Sequence, residues 1–162
     1  MAKKKTSETK AKSKASTSNT PVVDSLRQVV AATYAVIGQT HICHWNVRGP
    51  SFFALHMAFE EQYTELFTAV DDIAERIRAL GALAPGGLGN LAKMAGIDEI
   101  KEDATAEEMV KHLVAANLKL VDALKAARDA AGDAGDVQTE DLMIARIQVH
   151  DKTIWMLNSY LA

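Results

Sequence analysis

From Phe52 to Leu80 the chain contains neither glycine nor proline, and its apolar residues recur at helical spacing. This stretch predicts one helix of about 43 Å, at 1.5 Å per residue. On a helical wheel with His56 at 0°, Leu55, Phe59, Tyr63, Leu66, Val70, Ile73, Ile77 and Leu80 fall between about 240° and 340°. That arc is a core face. Glu61, Glu65, Asp72 and Arg76 fall near 140° to 200°, on the side predicted to be wet.

The rest of the chain supplies partners for this rod. Thr20-Pro21 reads as an N-cap followed by proline at the first helical position, opening a helix to about Val47 that Gly49-Pro50 stops. Ser51 is the predicted cap of the long helix. Gly81 to Asn90, with Pro85-Gly86-Gly87 inside it, is a connection leading to a short helix around Leu88 to Ala95. Thr105-Ala106-Glu107-Glu108 fits a capping box for an Ala-rich helix running to about Ala131, which Gly132 and Gly135 end. A last helix begins between Asp136 and Glu140 and runs to Tyr160. The reading is all-α: four long helices, with one long crossover between the second and third carrying a short extra helix. No strand or repeat is visible.

Charge divides the chain in two. Residues 1–20 hold six lysines against the single Glu8, a net of +5, so an overall −3 leaves −8 for residues 21–162. The first segment reads as a solvated, disordered arm and the second as the folded domain. A composition of 48% hydrophobic and 24% charged residues belongs to an ordinary globular protein and excludes fibrous or disordered classes. The lone Cys43 excludes a disulfide scaffold and a cysteine metal cage, favours a reducing compartment, and reads as a small buried hydrophobe. No stretch approaches a membrane span, and the lysines precede no apolar targeting region.

Four metal-ligand residue types share one stripe of the second helix. His56 lies at about 0°, Glu60 at about 40°, Asp71 at about 60° and Glu75 at about 100°, forming two i, i+4 pairs. Glu60 and Asp71 are about 16 Å apart along the axis, so the two pairs cannot share one ion within a single chain. Two such helices laid antiparallel, with a two-fold axis near Glu65 and Leu66, bring His56 and Glu60 of one copy to Asp71 and Glu75 of the other, giving two equal sites per dimer. Imidazole with carboxylates suits Fe(II), with Mn or Zn as rivals, and leaves coordination positions open. An intrachain di-iron bundle would need Glu-x-x-His pairs, which the chain lacks. The alternative for all four residues is a solvated helix face. His44, and His41 one turn before it, read equally as cations favoured by a helix C-terminus.

Residues 41–81, HICHWNVRGPSFFALHMAFEEQYTELFTAVDDIAERIRALG, resemble the signature of the Dps family of ferritin-like miniferritins. The likeness rests on the block His44-Trp45-Asn46-Val47-x-Gly49-Pro50, on His56 twelve residues after His44, and on Asp71-x-x-x-Glu75-Arg76. The His150-Asp-Lys-Thr-Ile-Trp155 run is similar to the family's last helix. This resemblance implies a ferroxidase whose ligands are His44, His56, Glu60, Asp71 and Glu75, shared across a dimer two-fold. Glu60 stands where many members have Asp. Trp45 resembles the family's aromatic beside the iron; its alternative is core packing.

The resemblance further implies a homododecamer enclosing a hollow shell, Fe(II) oxidised with hydrogen peroxide or oxygen, and stored ferric mineral. Asp136, Glu140 and Asp141 are candidates for a cation pore by electrostatic focusing, or simply acids favoured at a helix N-terminus. Lys3, Lys4, Lys5, Lys10, Lys12 and Lys14 lack interleaved aromatics, so any binding of double-stranded DNA would be phosphate-directed and indifferent to sequence. Twelve such arms would bind through multivalency, implying a cytoplasmic, nucleoid-associated protein with no membrane role. The rival function is a nucleoid-packing structural protein whose metal sites are weak or only structural.

Overall fold

The computed structural model describes residues 20–162; the arm lysines, Lys3 to Lys14, lie outside the described residues. Helix α1 spans Thr20–Asn46, α2 Phe52–Ala79, α3 Leu88–Ala95, α4 Ala106–Asp133 and α5 Val137–Leu161, with no strand among the described residues. This is the predicted four-helix plan with a short helix in the crossover, and among the described residues no helix is long and apolar enough to cross a membrane.

The helix ends follow local chemistry, with three departures from expectation. Thr105 caps α4: its hydroxyl accepts from the Glu108 N–H (3.2 Å), and the Glu108 carboxylate accepts from the Thr105 N–H (2.7 Å). These bonds hold the exposed Glu108 carboxyl below its usual range. Thr20 is itself helical. Ser51 does not cap α2: its backbone sits at φ −92°, ψ 11°, and its side chain makes no cap bond. Without an extended backbone a serine hydroxyl cannot swing over the first turn. Gly132 stays inside α4; the stop falls to Gly135 at φ 70°, while the Asp136 N–H closes back on the Ala131 carbonyl at 2.9 Å. Only a residue tolerant of left-handed backbone fits there.

Helices α1 and α2 form one antiparallel hairpin, α4 and α5 another, and α1 packs on α4. Helix α3 lies against α1, where Gln28 donates to the Met94 carbonyl (2.6 Å), and Arg27 donates to the Leu83 carbonyl (3.0 Å) in the connection before α3. Helix α2 packs chiefly on α1 and touches α5 only slightly.

The apolar interior comes in two parts. A larger cluster gathers Leu26, Val29, Val36, Ile73, Ile77, Leu120, Leu124 and Met143. A smaller one gathers Cys43, Val47, Leu55, Phe59, Met109, Leu113 and Leu157. Burial among these residues pushes the Cys43 thiol up to about 12, which fits an inert small hydrophobe.

Between the two clusters lies a polar layer: Gln39 and Thr40 on α1, Asn117 on α4, and Arg146 and His150 on α5, all buried. Arg146 grips Glu65 of α2 with both terminal nitrogens, the longer bond 2.9 Å, and donates to His150 Nε2 at 3.3 Å. His150 Nδ1–H donates to Asn117 Oδ1 (2.8 Å), and the Asn117 amide donates to the Leu113 carbonyl (2.8 Å). Burial first, and Arg146 second, push the His150 imidazole down to about 3, so it is neutral and can accept from Arg146. Gln39 Oε1 accepts from both the Ile100 N–H (2.8 Å) and His112 Nε2–H (3.0 Å), tying the crossover to α1 and α4. Among the described residues no buried side-chain polar atom lacks a partner. The layer therefore meets the condition for tolerating polar groups inside a core.

Glu65 and Arg76, predicted to be wet, are instead half-buried against α5. The wheel placed them opposite the ligand stripe, and α5 presents matching charges there.

Candidate metal centre

His44 leaves α1 one turn before the chain stops at Gly49, and His56 enters α2 one turn after the chain resumes, so the tight connection stacks their rings. The centroids lie 3.8 Å apart at 17°. Each ring bonds the other residue's backbone: His44 Nδ1 donates to the His56 carbonyl and His56 Nδ1 to the His44 carbonyl, both at 2.9 Å. A carbonyl only accepts, so each ring carries a hydrogen on Nδ1, which leaves Nε2 as the nitrogen able to bind a metal when the ring is neutral. The His44 carbonyl belongs to the last turn of α1 and has no helical partner, so His56 satisfies an orphan.

Glu60, one turn beyond His56 on α2, adds a carboxylate. One ligand atom from each of His44, His56 and Glu60 lies within 4.8 Å of the others. His44 is buried, His56 partly buried and Glu60 exposed. Two neutral imidazole nitrogens with one carboxylate are donors for a borderline divalent ion such as Fe(II). Fixing the second ring nitrogen by a backbone carbonyl is what orients such ligands.

An aromatic wall surrounds the group. Phe52 stacks on His56 at 5.0 Å, and Tyr63 stands edge-on to His44 at 5.2 Å. His41 contacts Tyr63 at 4.1 Å and lies parallel to Trp45 at 5.0 Å. Burial, then repulsion from the neighbouring His44 ring when that ring is protonated, holds His41 below its ordinary value. Trp45 is 66% exposed, so it does not pack in the core. The indole points outward because its neighbours Cys43 and His44 occupy the inward face of α1.

Asp71 and Glu75 lie farther along α2 and do not join the His44 group. Both are exposed, and among the described residues neither forms an ion pair. Asp71 borders an open groove of about 530 Å³ with Tyr34, Phe67 and Pro85. Of the acids at the start of α5, Asp136 is engaged: it caps the helix by accepting from the Thr139 N–H (3.1 Å) and pairs with Arg76 at 2.6 Å. Burial raises its carboxyl, but the Thr139 bonds and Arg76 outweigh this and hold it below its usual value. Glu140 is partly buried, and Asp141 is exposed.

Two features escaped the sequence reading. The polar layer was missed, although Arg146 and His150 sit on the same i, i+3, i+7 stripe as the buried Met143 and Leu157, and that placement is its signal. So was a set of exposed apolar residues on the ligand stripe itself. Phe53 (78% exposed), Met57 (67%) and Phe67 (45%) fall at about 60°, 100° and 20° on the wheel used above.

This fold has known counterparts. The model of the ferritin-like domain matches residues 23–162, so the chain is a ferritin-like protein. It is 38% identical over 136 residues to the DNA protection during starvation protein of Brevibacillus brevis, covering 84% of this chain and 91% of that one. The crystal structure of Dps from Staphylococcus aureus superposes with a TM-score of 0.84 at 38% identity, covering 87% of this chain and 95% of that one. Dps from Vibrio cholerae O1, described as a member of a broad superfamily of ferritin-like diiron-carboxylate proteins, superposes with a TM-score of 0.87 at 30% identity, covering 96% of this chain and all of that one. The chain belongs to the Dps family.

Proposed function

We propose that this protein oxidises Fe(II) at sites shared between two copies of the chain, stores the ferric product in a homododecameric shell, and protects DNA through its lysine arm. The observation that carries the reading is the His44, His56 and Glu60 group, which offers two free imidazole nitrogens and one carboxylate from a single chain. Asp71 and Glu75 lie on the same stripe of the same helix but too far along it to reach that group. An antiparallel second α2, related by a two-fold near Glu65 and Leu66, supplies them.

Two further facts favour this pairing. Phe53, Met57 and Phe67 are exposed on the ligand stripe, and apolar side chains clustered there call for a covering partner. Phe67 lies beside the proposed axis, so its copies approach each other at the centre of the interface. The Nε2 atoms of His44 and His56 also need no change of tautomer to accept the ion, so loading costs no rearrangement at those rings.

Iron is the substrate. Two Fe(II) and one hydrogen peroxide with two protons give two Fe(III) and two water molecules, so paired electron removal avoids hydroxyl radical. The chain's residues hold the ions close together, and the aromatic wall of Phe52, Tyr63 and Trp45 restricts water on one side. Trp45 stands beside the ligands on the outer side of this wall. Glu140 and Asp141 remain candidates for guiding cations inward; Asp136 serves mainly as cap and ion-pair partner. The arm would place six lysines per copy on DNA phosphates, in the cytoplasm and on the nucleoid.

Mixed assemblies test the shared site. Subunits carrying His56→Ala with Glu60→Ala, and subunits carrying Asp71→Ala with Glu75→Ala, are each expected to be inactive in peroxide consumption on anaerobic Fe(II) loading. Co-assembled, they should regain one of two sites per mixed dimer. No recovery on mixing argues for intrachain chemistry, and full activity of either variant alone removes the ligand assignment. For the arm, deleting residues 2–15 should abolish the mobility shift of duplex DNA at low salt, and an unchanged shift removes that part.

A further inference from the structure

Helix α2 carries every proposed ligand except His44, yet it meets α5 only slightly. What joins them is two polar clamps of opposite sign. Near the middle of α2, Glu65 offers its carboxylate to both terminal nitrogens of Arg146. Three turns farther on, Arg76 Nη2 donates to Asp136 Oδ1 (2.6 Å) and its Nε to Thr139 Oγ1 (2.8 Å). On the wheel Glu65 and Arg76 lie at about 180° and 200°, roughly 140° from Glu60 and Asp71 at about 40° and 60°. Acid and base are exchanged between the clamps, so neither can slide onto the other's partner.

The α5 half of each clamp is itself fixed. Arg146 is 8% exposed and is held by His150, which is held in turn by Asn117 of α4. Asp136 is fixed by capping α5 through Thr139. These are rigid anchors for α2 on a side where few apolar contacts set its rotation.

We propose that Glu65–Arg146 and Arg76–Asp136 act as positioning pairs that set the roll of α2 about its own axis and thereby aim the metal-ligand stripe. The proposal rests on the shared site of the preceding section. Ligand atoms lie about 5–6 Å from a helix axis, so a roll of about 10° carries them about 1 Å. Metal–ligand distances are held within about 0.2 Å, which corresponds to about 2°. Because the proposed site takes ligands from two copies of α2, an error in roll enters from both sides. The Glu65 clamp also sits at the residue where the two-fold falls, midway between the His56–Glu60 pair and the Asp71–Glu75 pair.

The test uses Co(II) as a redox-inert stand-in for Fe(II), read by its visible absorption in the assembled protein. The variants are Arg146→Lys, which keeps the charge and loses the two-pronged grip, and the double variant Glu65→Met with Arg146→Met, which removes both charges together. Thr105→Ala, a lost helix cap at the start of α4 that touches neither clamp, controls for lowered stability. Both clamp variants are expected to bind Co(II) about tenfold or more weakly, on the scale of lost outer-layer support, with a shifted absorption band. Helical content should be retained, Thr105→Ala should leave the band unchanged, and Arg146→Lys should fall between wild type and the double variant.

Wild-type affinity and spectrum in both clamp variants overturn the positioning role. So does an equal shift in Thr105→Ala, which would assign the effect to stability alone. If instead Co(II) binds no more weakly to the His56→Ala, Glu60→Ala protein than to wild type, the shared site itself fails and the clamps have nothing to aim.

Discussion

His150 makes the interior sensitive to acid in a way that can be measured. Its imidazole is buried in the folded protein, donates to Asn117 and accepts from Arg146, and its pKa falls from an ordinary 6.5 to about 3. The folded state therefore refuses a proton that the unfolded chain accepts. Above pH 6.5 neither state is protonated and the group has no effect. As pH falls below 6.5 the unfolded chain gains the proton alone, and stability drops by about 1.4 kcal/mol per pH unit until the folded value near 3 is reached. Between pH 7 and pH 4.5 this amounts to about 2.5 kcal/mol. His150→Gln keeps an acceptor for Arg146 and a donor for Asn117 but does not titrate. Urea unfolding of both proteins at one protomer concentration, from pH 7 to pH 4.5, should give a wild-type slope steeper by about 1.4 kcal/mol per unit below pH 6.5. His41, His112 and the carboxylates titrate in both proteins and cancel from the difference. Slopes that agree at every pH would refute the account of a neutral, buried His150.

Two other outcomes follow from packing and capping. Phe59 is fully buried in the smaller apolar cluster one residue before Glu60, and Phe59→Ala should lower unfolding stability by about 3–5 kcal/mol in a denaturant titration. Thr105→Ala removes the capping box of α4 and should cost about 1 kcal/mol, with faster amide exchange confined to the first turn of that helix.

Much of this architecture was legible because it rests on short-range rules. The apolar arc of α2 is the buried face observed, the Thr105–Glu108 box closes as its spacing demands, and α3 spans Leu88–Ala95 as read. The residues that failed are those whose fate depends on a distant helix. Ser51 has a capping side chain but not the backbone angle for it. Glu65 and Arg76 look solvated until α5 brings Arg146 and Asp136 to them. Trp45 is ambiguous because one aromatic beside two histidines says nothing of which way α1 faces. The same limit holds at the candidate site. Its ligand types and periodicity are local and visible, whereas the crossed bonds between two rings and two main chains depend on how a five-residue connection folds back.

Those crossed bonds give the end of α1 a chemical duty. If α1 ran one turn longer, the His44 carbonyl would be claimed by the amide four residues on, and His56 would lose the acceptor that keeps its outer nitrogen bare. Gly49, at φ 107°, enforces the stop. Insertions that elsewhere would only lengthen a surface bend would here scramble the proton inventory of the ion cradle, so this corner should tolerate changes of residue far better than changes of length.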